Sequence, residues 1–228
     1  MAATGHSVRE EGARNGEGPL SMTQFEPEER PGDADGTASA SPSGPGAAKL
    51  LLTFGHGTAD AAEMTELLQG AEVRRLVDVR RAPGSRHNPD AGRLAMERWL
   101  PRGGIAYRWE QRLGGRRAAR PDTPDTALRN RAFVGYAAHM RSAEFLTAVD
   151  DLLADAAAER TAVMCAETVW WRCHRKMISD FLVLARQVKV LHLMHDGTLH
   201  PHLTSPEARL WPERGLLIYE AGQQFLPG

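Results

Sequence analysis

Two cysteines in 228 residues are too few for a disulfide scaffold, and a chain of this length can bury a core without covalent staples. Lysine is almost missing as well, with Lys49, Lys176 and Lys189 the only three. No apolar run approaches the roughly 20 residues that a bilayer-spanning helix needs. The opening stretch MAATGHSVREEGARNGEGPL has no apolar core of the kind a secretory signal carries. These absences lead to the expectation of a soluble, cytoplasmic protein without a membrane partner. There is no phosphate-loop motif, no C-x-x-C pair of the kind that marks a zinc site, and no internal repeat.

Charge is present but unevenly spread. The formal net charge is −1, yet residues 1–48 hold three arginines against eight acids, and residues 49–228 hold 25 basic against 21 acidic side chains. The basic excess is mostly arginine, whose planar five-donor fork suits phosphate and carboxylate. Residues 1–48 end in PGDADGTASASPSGPGAA, rich in glycine, proline, serine and acids. Such a segment buries too little apolar surface to offset its ordering entropy, so a disordered acidic tail is expected there. Residues 49–228 are expected to form a single α/β domain.

From residue 49 the pattern is periodic. KLLLTFGHG is a short apolar run stopped by glycine, a strand and a turn. TADAAEMTELLQG predicts a helix capped by Thr58 or Asp60 and ended by Gly70. Strands are predicted at 73–80, at GIAYRWE, at RTAVMCAE and at VKVLHLMH, with helices from about Arg93 to Leu100 and over RNRAFVGYAAHM, SAEFLTAVDDLLADAAAE and RCHRKMISDFLVLARQ. Residues 110–126 read as a long loop. Alternating strands and helices imply a three-layer α/β sandwich with a mostly parallel sheet of about five strands. Ligands in such folds sit beyond the carboxyl ends of the strands, where this sequence places GHG (55–57), DVR (78–80), RWE (108–110) and CAE (165–167).

Several constellations fall at that rim, each with two readings. Arg80, Arg86, Arg116, Arg117, Arg172 and Arg175 lie in loops after strands or at one helix start, accompanied by Gly84, Gly114 and Gly115. They form either an anion site, most naturally for phosphate, or a solvated, salt-bridged rim. Asp78 ends the apolar strand LVDV and is either paired with an arginine or placed for acid–base work, with Glu167 as a counterpart. Cys165 is a candidate nucleophile or sulfur carrier, or a small buried residue. Cys173 is expected to face inward beside Met177. Cys165, Cys173 and His174 offer three zinc ligands and His56 a fourth, but neighbours at a helix start are expected to point in different directions. No metal and no cofactor is therefore expected. The histidines of HLMHDGTLHPH (192, 195, 200, 202) are expected to divide between strand faces. Trp170 and Trp171 are either a platform for stacked bases or a hydrophobic loop with one indole in the core and one exposed.

In order, TFGHG, LVDVRRAPGSRHNP, LGGRR, FVGYAAHM and VMCAETVWWRCHR resemble the domain of unknown function 488 family, from about Leu50 to His195. Gly57 stands where the family pattern usually has serine, and the acidic tail lies outside the pattern. The resemblance implies a compact α/β fold with these motifs lining one pocket, and some relatives look like DNA glycosylases acting on modified pyrimidines. The leading expectation is then a hydrolase in DNA repair that binds DNA, or another phosphate-bearing ligand, and cuts the N-glycosidic bond of a modified base. Asp78, His56, Glu167 and His174 would be catalytic, the six arginines would hold phosphates, and Asn88, Tyr136, Trp170 and Trp171 would contact the base. The alternatives are a Cys165-dependent sulfur-transfer or redox protein and a non-catalytic nucleotide- or anion-binding module.

Overall fold

The structure, a computed structural model, describes residues 50–84, 87–119 and 122–221. The expected acidic tail and Arg86 lie outside the described residues. Five parallel strands form the body of the main sheet: β1 (Leu50–Gly55), β2 (Arg75–Asp78), β3 (Ala106–Trp109), β4 (Thr161–Cys165) and β5 (Lys189–Leu193). A sixth, β6 (Leu199–Pro201), adds antiparallel to β5, giving the order β3-β2-β4-β1-β5-β6. The expected α/β sandwich is present, with one strand more than the sequence pattern suggested. A separate antiparallel pair, β7 (Ala208–Trp211) and β8 (Leu216–Tyr219), completes the strands among the described residues.

β1 and β4 are apolar almost throughout and buried along nearly their whole length, as strands covered on both faces must be. Alternate residues of β1, β2 and β4 enter two different cores. Leu51, Val77, Val163 and Cys165 face one, with α3 (Arg131–Met140), α4 (Ala143–Ala158), α5 (Arg175–Arg186) and the β7–β8 pair. Leu52, Phe54, Leu76 and Met164 face the other, with α1 (Ala61–Gly70) and α2 (Arg93–Trp99). The helices start where capping side chains allow. Asp60 and Glu63 form a reciprocal capping box on α1, and Ser142 accepts from the Phe145 amide to cap α4. α5 stops at Gln187, which takes the left-handed conformation (φ 56°). Among the described residues no helix is long and apolar enough to cross a membrane.

The topology fixes where a crevice opens. β1 and β4 are neighbours, yet the chain leaves β1 through α1 toward β2 and leaves β4 through α5 toward β5, on the far side. The two connections depart in opposite directions and on opposite faces, which leaves a gap between the carboxyl ends of β1 and β4.

Candidate functional site

The residues after β1 and β4 are laced together at that gap. The His56 amide donates to the Cys165 carbonyl (3.0 Å) and the Gly57 amide to that of Ala166 (2.9 Å). Gly57 is left-handed (φ 52°), and a Cβ there would overlap the Thr168 hydroxyl, so a side chain at this position would strain the backbone and require Thr168 to turn away. Two adjoining hollows open here and share Arg116, Cys165 and Ala166. One, of about 290 Å³, is lined also by His56, Arg80 and Gly84. The other, of about 170 Å³, is lined by Gly115, Phe133, Tyr136, Glu167, Arg172, Cys173 and His174.

Asp78 is wholly buried (0 % exposed) and both its oxygens are engaged. Oδ1 accepts from Arg80 Nε (2.8 Å) and from the Arg80 amide (3.0 Å), while Oδ2 accepts from Arg80 Nη2 (2.5 Å) and from the Tyr107 hydroxyl (2.8 Å). Burial and the adjacent carboxylate push the Tyr107 phenol up, which keeps it a donor. Of the two readings of Asp78, its geometry is that of a carboxylate locked in a bidentate ion pair, so it acts through Arg80. Arg80 in turn donates from Nη2 to the Ala91 carbonyl (2.7 Å) and from Nη1 to His56 Nε2 (3.0 Å). His56 must therefore carry its proton on Nδ1, which donates to the Gly57 carbonyl (2.9 Å). Burial and the Arg80 cation lower its pKa to about 4. It is a neutral imidazole with both nitrogens committed, which does not suit the catalytic role expected of it.

The second cluster corrects the expectation that Cys173 and His174 diverge. Cys173 has extended backbone (φ −115°, ψ 153°) and His174 begins the helical turn, so the two side chains swing to the same side. His174 Nδ1 lies 3.6 Å from Cys173 Sγ and 3.7 Å from Cys165 Sγ, and all three atoms are within 4.8 Å of one another. His174 Nε2 donates to the Val79 carbonyl (3.1 Å), which leaves Nδ1 as the acceptor facing two thiols. The Cys173 thiol is held well below its usual range by the hydrogen bond from Cys165; the same pairing and burial push Cys165 up. Gly115 closes the cluster from above: a Cβ there would come within 2.9 Å of His174 Nδ1. The edge of the buried Tyr136 ring meets His174 at 5.1 Å, and its hydroxyl donates to the Leu113 carbonyl (2.8 Å). Tyr136 thus supports an imidazole and offers no free face for stacking a base.

Arg175 is 1 % exposed, and among the described residues no carboxylate pairs with it. Its Nη2 donates to the Glu167 carbonyl and its Nη1 to Thr53 Oγ1 (3.5 Å), while Nε has no hydrogen-bond partner among the described residues. From Thr53 a buried chain continues: Thr53 Oγ1 to His192 Nδ1 (2.6 Å), His192 Nε2 to His202 Nδ1 (2.9 Å) and His202 Nε2 to Asp180 Oδ1 (2.9 Å). Asp180 also accepts from Ser205 and Tyr219. Trp170 lies flat on His192 (4.1 Å, 7°), whereas Trp171 is 49 % exposed. Neither indole is in the core: Trp170 is half-buried and Trp171 exposed. Of the four histidines, His192 and His202 meet, His195 stacks on Phe54 and His200 is exposed.

The other expected residues divide. Arg116 and Arg172 are exposed at the rim, line the cleft and form no ion pair among the described residues. Glu167 lines the same rim with an exposed side chain. Arg117 is spent elsewhere, donating to the carbonyls of Gln111, Arg112 and Gly114 and lining a different hollow with Glu144. Asn88 caps the short turn at Pro89 and donates to the Ala59 carbonyl (2.8 Å), holding the loop after β1. Thr53 and Asp180, which stand at the two ends of the His192–His202 pair, were not singled out from sequence. The available signal was register: in a parallel sheet Thr53 pairs with His192.

The family model of the domain of unknown function DUF488 matches residues 60–182, somewhat over half of the chain. None of the curated proteins and none of the solved structures compared with the chain matches it. The chain belongs to the DUF488 family.

Proposed function

We propose that this DUF488 member is a hydrolase that binds DNA at the cleft and removes a modified pyrimidine by cutting its N-glycosidic bond. The observation that carries the reading is the pair of arginines Arg116 and Arg172, which form no ion pair among the described residues, at the mouth of a cleft that Glu167 lines with an exposed carboxylate and whose wall presents the Arg80 cation. Arg116 and Arg172 take the phosphates. Cleavage of the C1′–N1 bond sends the electron pair onto the departing pyrimidine, and Arg80, held rigid by Asp78, faces that negative charge. Glu167 orients a water for attack at C1′ and takes its proton. Asp78 is a positioning residue in this scheme, and His56 and Tyr107 keep the Arg80–Asp78 pair in place.

The test is to incubate the full chain with duplex oligonucleotides carrying a panel of modified pyrimidines and to measure free base and abasic sites. Base release from at least one substrate is expected, lowered by about 10²–10⁴ in rate in Glu167→Gln with DNA affinity retained. Salt-dependent binding without release from any member of the panel would overturn the hydrolytic reading and leave an anion-binding module.

A further inference from the structure

We propose that Cys165, Cys173 and His174 hold one thiophilic divalent metal ion, zinc being the natural occupant, with its fourth coordination position open to the cleft. The donors come from two elements that the fold brings together, the end of β4 and the start of α5. Their spacing is that of a coordination shell. Metal–sulfur bonds of about 2.3 Å and metal–nitrogen bonds of about 2.0–2.1 Å, set at a tetrahedral angle, require a sulfur–nitrogen edge of about 3.6 Å. The two edges observed are 3.6 Å and 3.7 Å.

The imidazole is already prepared for a metal. Its Nε2 donates to the Val79 carbonyl, so Nδ1 presents a lone pair, and such an outer partner is what orients a ligating histidine. Gly115 and Tyr136 fix the ring from two sides. Charge is also in order. Two thiolates neutralise a dication, and the buried Arg175 is linked to the Asp180 carboxylate through Thr53, His192 and His202. Three protein ligands with an open fourth position is the arrangement of reactive zinc sites, whereas closed structural sites use four. His56, the fourth ligand suggested by the sequence, is unsuited because both its nitrogens are engaged. All three donors line the cleft, so the open position would meet water or a group of the ligand bound there.

The test uses the untagged full chain, reduced and treated with a chelator, then titrated with cobalt(II) and zinc. One cobalt per chain is expected, with the near-ultraviolet absorption of thiolate–cobalt bonds and the visible bands of a tetrahedral ion, both abolished by one equivalent of zinc. Cys173→Ser should weaken binding by more than about a hundredfold, beyond what loss of an outer partner causes. His174→Gln should keep both thiolate bands at reduced affinity. A folded, reduced wild-type chain that shows no thiolate–cobalt absorption overturns the site, and so does unchanged binding in the Cys165→Ser/Cys173→Ser double variant. The wild-type spectrum decides the matter even if the variants fail to fold, and it is read without reference to base release.

Discussion

Arg175 and Asp180 sit five residues apart on α5 and are joined through three side chains from other elements. The geometry lets every link run one way: Arg175 donates to Thr53, Thr53 to His192, His192 to His202 and His202 to Asp180. A buried cation and a buried anion, each costly alone, are thereby connected across β1, β5 and the segment after β6. In a medium of low dielectric such a chain polarises cooperatively. It also ties the floor of the cleft to the edge of the sheet, under the Trp170 ring.

That chain makes the fold acid-sensitive. Burial, with His202 next in weight, lowers the His192 pKa to about 3, and burial with Arg80 lowers that of His56 to about 4. An unfolded chain binds these protons near 6.5. Between about pH 6.5 and pH 4 the unfolded state therefore holds more protons than the folded one, and stability falls as the pH falls through that window. Thermal melts at constant ionic strength should show a midpoint that drops steadily from pH 7 to pH 4.5. In His192→Gln the drop should be shallower, and a slope equal to the wild type would show that His192 does not contribute to it.

The Asp78–Arg80 pair predicts a loss larger than a surface ion pair could give. Asp78→Asn leaves a buried guanidinium without its counter-charge, and breaking one side of such a pair costs about 3–5 kcal/mol. The double variant Asp78→Asn/Arg80→Met removes both charges and should recover part of that loss. Urea unfolding of the two variants checks this, and equal destabilisation in both would assign the cost to packing around Tyr107 and Met96.

The strands and helices that carry the site were legible because their residues are periodic and capped. TAVMC is an uninterrupted apolar run, Asp60 and Ser142 stand at helix starts, and Asp78 is an acid inside an apolar strand. β6, with all three residues exposed, has no apolar alternation to announce it. The partners were less legible. Asp78 finds Tyr107 across β2 and β3, and Thr53 finds His192 across β1 and β5, and both depend on a strand order that local pattern does not encode. Whether Cys173 and His174 converge turns on a single extended residue ahead of α5. Arg116 and Arg117 are adjacent and look alike in sequence, yet one faces the cleft and the other clamps backbone carbonyls.

The two tryptophans should respond differently to truncation. Trp170→Ala removes the half-buried ring stacked on His192 and in edge contact with His202, and should destabilise by about 1–3 kcal/mol, less than loss of a fully buried aromatic. Trp171→Ala, at a half-exposed position, should change stability by no more than about 0.5 kcal/mol. Denaturant unfolding measures both. A Trp171 effect as large as that of Trp170 would mean that the pair acts as one packed unit through its edge-to-face contact.

The same contrast between neighbours sets the sharpest test of the cationic mouth. Arg116 and Arg172 carry no ion pair among the described residues, so a bound phosphate would meet them without first breaking a contact. Each phosphate contact contributes about 0.9 to the slope of log affinity against log salt on duplex DNA. Arg116→Ala and Arg172→Ala should each lower the slope by about 1 and weaken binding to similar extents on every sequence. Arg117→Ala should leave the slope unchanged and lower stability instead, because its guanidinium is committed to the carbonyls of Gln111, Arg112 and Gly114. Fluorescence-anisotropy titrations at four or more salt concentrations give the slopes. If Arg117→Ala changes the slope as much as Arg116→Ala, the DNA track runs outside the cleft, and the placement of substrate over Glu167 fails with it.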